Sequence, residues 1–83
     1  VEILYFARIR EDIGHGSEHL DLPGSVTDVA GLMDYLQQRG TNYQAAFHNR
    51  EIIRIAVNQV HVTSDHPLRG GDEVAFFPPM TGG

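Results

Sequence analysis

The chain has 83 residues, 41% of them hydrophobic and 20% charged, with a formal net charge of −5 at pH 7. That length supports one small core and excludes a second domain, no apolar run approaches the roughly 20 residues of a membrane span, and the acidic balance argues against nucleic acid, whose binders cluster Lys and Arg to displace counterions. Cys and Lys are both absent, which removes disulfides, iron–sulfur ligation, persulfides, side-chain thioesters, a Walker A lysine and Schiff-base chemistry.

No basic segment followed by an apolar one opens the sequence, so the cytoplasm is the expected compartment. Val1 to Ala7 is apolar almost throughout and rich in β-formers, which predicts a strand with Ile3, Tyr5 and Ala7 on one face and Leu4 and Phe6 on the other. Ile9 and Ile13 are four apart and Gly14 follows, the pattern of a short helical turn closed by a left-handed glycine.

Ser17 to Leu22 alternates polar and apolar residues before the turn signal Pro23-Gly24, so a second strand is expected to pair with the first and to turn Leu20 and Leu22 to the core. Ser25 with Asp28 three residues on offers an N-cap, and Val29, Leu32, Met33 and Leu36 follow the i, i+3, i+4, i+7 pattern of the main helix. Gly31 inside it costs roughly 1 kcal/mol against Ala, and Gly40 after Arg39 reads as a left-handed C-cap.

Thr41 to Arg50 is polar, with Tyr43, Ala46 and Phe47 spaced for one short amphipathic helix. Glu51 to Val57 reads as a strand with Ile53, Ile55 and Val57 on one face, Asn58-Gln59 as a turn, and Val60 to Val62 as a short return strand. Gly70-Gly71-Asp72 then turns the chain into a last strand, Glu73 to Phe77, with Val74 and Phe76 on one face and Ala75 and Phe77 on the other. This order predicts an α+β fold in which one main helix packs on one face of a mixed sheet. If Leu4, Phe6, Ala75 and Phe77 share the face away from that helix, they form an exposed apolar docking patch.

The chemistry is expected at the end of the chain. Pro78-Pro79 ends the sheet stiffly, and Gly82-Gly83 leaves the terminal carboxylate without neighbouring side chains. Met80, Thr81, Gly82 and Gly83 can reach roughly 13 Å beyond the second proline at about 3.3 Å per residue, far enough to enter a cleft in another protein. With Cys and Lys gone, the C-terminal carboxylate is the leading candidate for any covalent chemistry. Five histidines invite a metal reading, but His15 and His19 flank a predicted strand, where a spacing of four does not converge, so no metal site is expected.

Tyr5-Phe6-Ala7, Ala56-Val57-Asn58, His66-Pro67-Leu68, Gly71-Asp72-Glu73-Val74-Ala75 and Pro78-Pro79-Met80-Thr81-Gly82-Gly83 together resemble the small subunit of molybdopterin synthase, a ubiquitin-like sulfur carrier. The resemblance departs at Met80-Thr81, where Val-Ser or similar pairs are common, and at His61, an interface position often held by a larger apolar residue. It implies a single β-grasp, ubiquitin-like domain over 1–83 with a flexible C-terminal tail at 78–83. It implies that Gly83 is adenylated by an ATP-dependent, E1-like activating enzyme and becomes a thiocarboxylate. The tail, Met80 to Gly83, would then enter the large catalytic subunit within a heterotetramer, and the sulfur would pass to cyclic pyranopterin monophosphate. Phe6, His61, Phe77, Pro78 and Pro79 are the implied docking and guiding residues, the chain itself binding no cofactor and lacking catalytic activity of its own. The sulfur carrier of thiamine synthesis, a ubiquitin-like modifier joined through Gly83 to a lysine, and an inert interaction module are the alternatives.

Overall fold

The computed structural model describes residues 1–79. Five strands form one mixed sheet: β1 (Glu2–Tyr5), β2 (Ser17–His19), β3 (Arg54–Val57), β4 (Val60–Val62) and β5 (Glu73–Phe77), in the spatial order β2-β1-β5-β3-β4. The first and last strands lie side by side and parallel at the centre, with Ile3 opposite Val74 and Tyr5 opposite Phe76. The other three pairings are antiparallel. The helices, α1 (Ala7–Ile13), α2 (Val29–Gln37) and α3 (Thr41–Ala46), together with a 3-10 turn at Arg50–Ile52, fill the crossovers. This is the β-grasp arrangement, α+β, anticipated above.

Alternation explains which face the helices cover. Ile3 and Tyr5 of β1, Ile55 and Val57 of β3, and Val74 and Phe76 of β5 are all buried, and they meet Leu32, Met33 and Leu36 of α2 and Phe47 after α3. Phe47 meets Phe76 edge to face, ring centroids 5.0 Å apart. Fully burying side chains of this size contributes about 1.5–3 kcal/mol each, and the core is built almost entirely from them.

Several boundaries differ from expectation for local reasons. The first strand stops at Tyr5, and Ala7, expected to extend it, starts α1 at φ 52 and is exposed. Gly14 closes α1 as predicted, at φ 101 with its N–H bonded to the Arg10 carbonyl. β2 ends at His19, though Leu20 and Leu22 still pack against the core. The cap of α2 is Asp28 rather than Ser25: its carboxylate accepts the Gly31 N–H at 2.7 Å. A Cβ at Gly31 would sit 3.1 Å from that same oxygen, so the glycine makes room for the cap.

Gly40 is not a left-handed C-cap. Gln38 ends α2 in right-handed geometry, and Gly40 is extended at φ 160, leading into α3. The strand expected from Glu51 begins only at Arg54, because Arg50 pulls the preceding turn onto α2: its guanidinium donates to the Asp34 carboxylate and to the Ala30 carbonyl. The β3–β4 hairpin has Asn58 and Gln59 at φ 50 and 69, the left-handed pair that matches strand twist. Asn58 also bonds Asp72 and the Glu73 N–H, locking this turn against the one that feeds β5.

Candidate functional site

β5 is the middle strand of the sheet and the last element of the described residues, so the sheet sets where Pro78 and Pro79 leave it. Pro78 and Pro79 follow it directly and are half-buried. Neither has an N–H to extend the ladder, which ends pairing at Phe77. Pro78 helps wall a hollow of about 260 Å³ with Ile9, Ala46 and Ile52, so α1 and α3 frame one side of the exit.

The face of the sheet away from the helices frames the other side. Cross-strand register aligns Leu4, Ala75, Ala56 and His61 in one row across four strands, and Phe77 with Arg54 in the next row toward the exit. Phe77 is half-buried and stands between two rings: Phe6, edge-on at 6.4 Å, and His61, edge-on at 5.4 Å. Phe6 is 47% exposed. Such an aromatic side chain left in water beside a second one makes this a candidate surface for another molecule. Phe6 is held there from both sides: its N–H bonds the Phe76 carbonyl, and the left-handed Ala7 after it breaks the strand.

Leu4, Phe6, Ala75 and Phe77 thus lie on the side away from the helices, as expected, with His61 joined to them, but only Phe6 of the four is exposed: Leu4 and Phe77 are half-buried and Ala75 is buried beneath its neighbours. Met80, Thr81, Gly82 and Gly83 lie outside the described residues. Arg54, exposed beside Phe77, was not singled out from sequence, although its place two residues before Ala56 puts it on this face.

A polar node clamps the opposite edge of the sheet. Glu18 of β2 lies on the helix side, opposite Ile3, with its side chain 14% exposed. Its Oε2 accepts the hydroxyl protons of Tyr5 and Tyr43 at 2.7 Å each and approaches His15 Nε2 at 3.1 Å, while Oε1 accepts from Arg39 at 2.7 Å. Burial disfavours charge on this carboxylate, but the four hydrogen bonds outweigh it and hold the pKa down at about 2. Burial and donation to Glu18 push Tyr43 up to about 12 and Tyr5 above the usual tyrosine range. With every partner engaged, the node is structural. Sequence parity carried the signal: Glu18 shares the alternation of Leu20 and Leu22, which points inward.

Among the described residues, no group of three or more His, Asp or Glu side chains is arranged to hold a metal ion. His15 is spent on Glu18, and His19 contacts Glu2 and Asp21. Those carboxylates, Glu2 foremost, raise the His19 pKa and so favour its protonated form, the opposite of what a metal ligand requires. Nor is any helix among the described residues long and apolar enough to cross a membrane.

A central parallel strand pair, helices on one face, and an aromatic patch where the last strand leaves the sheet define a ubiquitin-like β-grasp domain. The chain belongs to the ThiS family, whose model matches residues 3–83. It is 36% identical to the molybdopterin synthase sulfur carrier subunit of Escherichia coli, over all of this chain and 99% of that one. It is 35% identical to the subunit of that name from Mycobacterium tuberculosis, over 100% and 96%. The resemblance drawn from its motifs thus extends over the full length. Among solved structures, the small archaeal modifier protein 1 of Haloferax volcanii superposes with a TM-score of 0.74 at 25% identity, covering 95% of each chain.

Proposed function

We propose that this chain is the sulfur-carrier subunit of a molybdopterin synthase and that Gly83 carries the sulfur. The observation that supports this best is the direction of β5. The central strand of a rigid sheet runs straight into Pro78-Pro79 and the sequence Met80-Thr81-Gly82-Gly83, beside an exposed aromatic patch, in a chain alike over its whole length to sulfur carriers.

A carboxylate is a poor electrophile until one oxygen becomes a good leaving group. In the first step a Gly83 carboxylate oxygen attacks the α-phosphorus of ATP on an E1-like activating enzyme, expelling pyrophosphate and forming a mixed anhydride. Hydrosulfide then attacks the acyl carbon and expels AMP, leaving a thiocarboxylate. In the large catalytic subunit its sulfur bonds to a carbon of cyclic pyranopterin monophosphate as an oxygen substituent leaves that carbon, and water then cleaves the resulting thioester, leaving the sulfur on the pterin and restoring the Gly83 carboxylate. ATP and the pterin are bound by the partners. This chain supplies the docking face, the stiff exit at Pro78-Pro79 and a tail whose last two residues have no side chains to obstruct a narrow cleft.

The test is the intact mass after incubation with the activating enzyme, ATP and hydrosulfide, with fragmentation to place the change. One oxygen exchanged for sulfur at Gly83, absent from a chain lacking Gly82-Gly83, is the expected result. An unchanged mass, with the enzyme active on a control carrier, overturns the proposal.

A second reading draws on the fold shared with the archaeal modifier protein: Gly83 joined to a lysine of a target protein. The absence of lysine means that this chain cannot build side-chain-linked polymers of itself, so the reading predicts single conjugates on other proteins. Covalent adducts on many targets in an extract supplied with ATP would favour it over the carrier.

A further inference from the structure

The docking face carries one charge that an apolar partner surface cannot cover. Arg54 lies directly across from Phe77 in the β3–β5 ladder, on the same face and at the end of the sheet where the tail leaves. Its side chain is exposed, and none of the ion pairs among the described residues involves it. The other arginine nearby, Arg50, is committed to Asp34 and the Ala30 carbonyl. The open-face acids of β1 and β5, Glu2 and Glu73, are register neighbours at the far end of the sheet, where the Glu2 carboxylate meets His19. From Arg54 an open groove of about 710 Å³ runs past His61 and Thr63 to His66 along β4.

A partner seated on Phe6 and Phe77 also covers Arg54, which lies across the ladder from Phe77. Covering a guanidinium without a partner strips its water for no return and offsets much of what the two phenylalanines contribute. A carboxylate placed opposite it turns that penalty into a planar, two-pronged hydrogen bond.

We propose that Arg54 is a specificity-determining contact of the docking face, receiving a carboxylate of the large subunit that lies in the groove beside Phe77. This rests on the carrier reading above and names the chemistry its partner must present: an apolar seat for Phe6 and Phe77 with an Asp or Glu side chain at its edge. In a chain of net charge −5, a defined cation beside Phe77 also helps set the partner's orientation.

The experiment measures binding of the full-length chain to its large subunit by calorimetry at low and high salt, for wild type, Arg54→Leu and Arg54→Glu. With a carboxylate opposite, Arg54→Leu leaves that acid unpaired, weakens binding at least about tenfold and reduces the salt dependence, whereas Arg54→Glu weakens binding further at low salt and recovers part of that loss at high salt, which screens the new repulsion. Melting temperatures stay close to wild type, because Arg54 is exposed and makes no ion pair within the described fold. Arg54→Leu binding as tightly as wild type, or more tightly, overturns the proposal while leaving the carrier function intact. A wild-type chain that does not bind the large subunit overturns both.

Discussion

Phe6 and Phe77 meet edge to face across the exit of the central strand, ring centroids 6.4 Å apart and planes at 81°, although they stand 71 positions apart in the chain (77 − 6). The parallel pairing of β1 with β5 brings them together, and Phe6 remains 47% exposed because the chain turns into α1 immediately after it. An aromatic pair held at the surface in this way fits the proposed docking role of Phe6 and Phe77 better than a place in the core.

Phe6→Ala should therefore separate binding from folding. Its ring contributes little to the core, so the melting temperature is expected to fall by only a few degrees, corresponding to about 1 kcal/mol. Affinity for the large subunit is expected to drop at least about tenfold, as for an aromatic hot spot. Calorimetric titration and a thermal scan of the same variant check both halves; a large loss of stability with unchanged affinity would reverse the assignment.

Glu18 makes acid stability predictable in sign. Its pKa is about 2 when folded, against an ordinary value of 4.5. The unfolded chain therefore takes up a proton first as pH falls. The stabilisation is fully present above about pH 4.5 and is lost progressively toward pH 2. Glu18→Gln, which keeps the shape but removes the charge that holds Arg39, Tyr5 and Tyr43, is expected to cost about 2 kcal/mol at pH 7 and to flatten this acid limb. Urea unfolding between pH 2 and 7 measures both; equal slopes for variant and wild type would remove Glu18 from the account.

Gln59 occupies a left-handed conformation, φ 69, at the second position of the β3–β4 turn. A side chain there costs roughly 1 kcal/mol that glycine does not pay. Gln59→Gly is expected to stabilise the domain by about 0.5–1 kcal/mol, read as a higher denaturation midpoint with an unchanged slope. Asn58 at φ 50 is a different case, because its side chain bonds Asp72 and the Glu73 N–H; its replacement by glycine is expected to destabilise.

The elements were legible where a local pattern coincides with a tertiary need. The α2 stripe of Val29, Leu32, Met33 and Leu36 is buried as its spacing requires, Gly14 caps α1, and β5 runs over the predicted residues Glu73–Phe77. Boundaries failed where a distant group outbid the local signal. Ser25 is a good cap by type, but the chain bends so that Asp28 reaches the Gly31 N–H, and Pro67 bridges to Asp28 from the far end of the sequence. Glu51 and Ile52 have strand-like neighbours, yet Arg50 reaching Asp34 and Ala30 draws them into a 3-10 turn.

By itself the sequence narrowed the covalent chemistry open to the chain: with no Cys and no Lys, and with Gly-Gly behind two prolines, the terminal carboxylate becomes the leading candidate. Alternation also assigned each strand residue to a face, because a side-chain period of two is a property of the backbone. Only the tertiary structure decided that Phe6, His61 and Arg54 surround Phe77, and that Glu18 gathers Tyr5, Tyr43 and Arg39. Those groupings depend on strand order and register, which follow from how all five strands and α2 bury their apolar faces together.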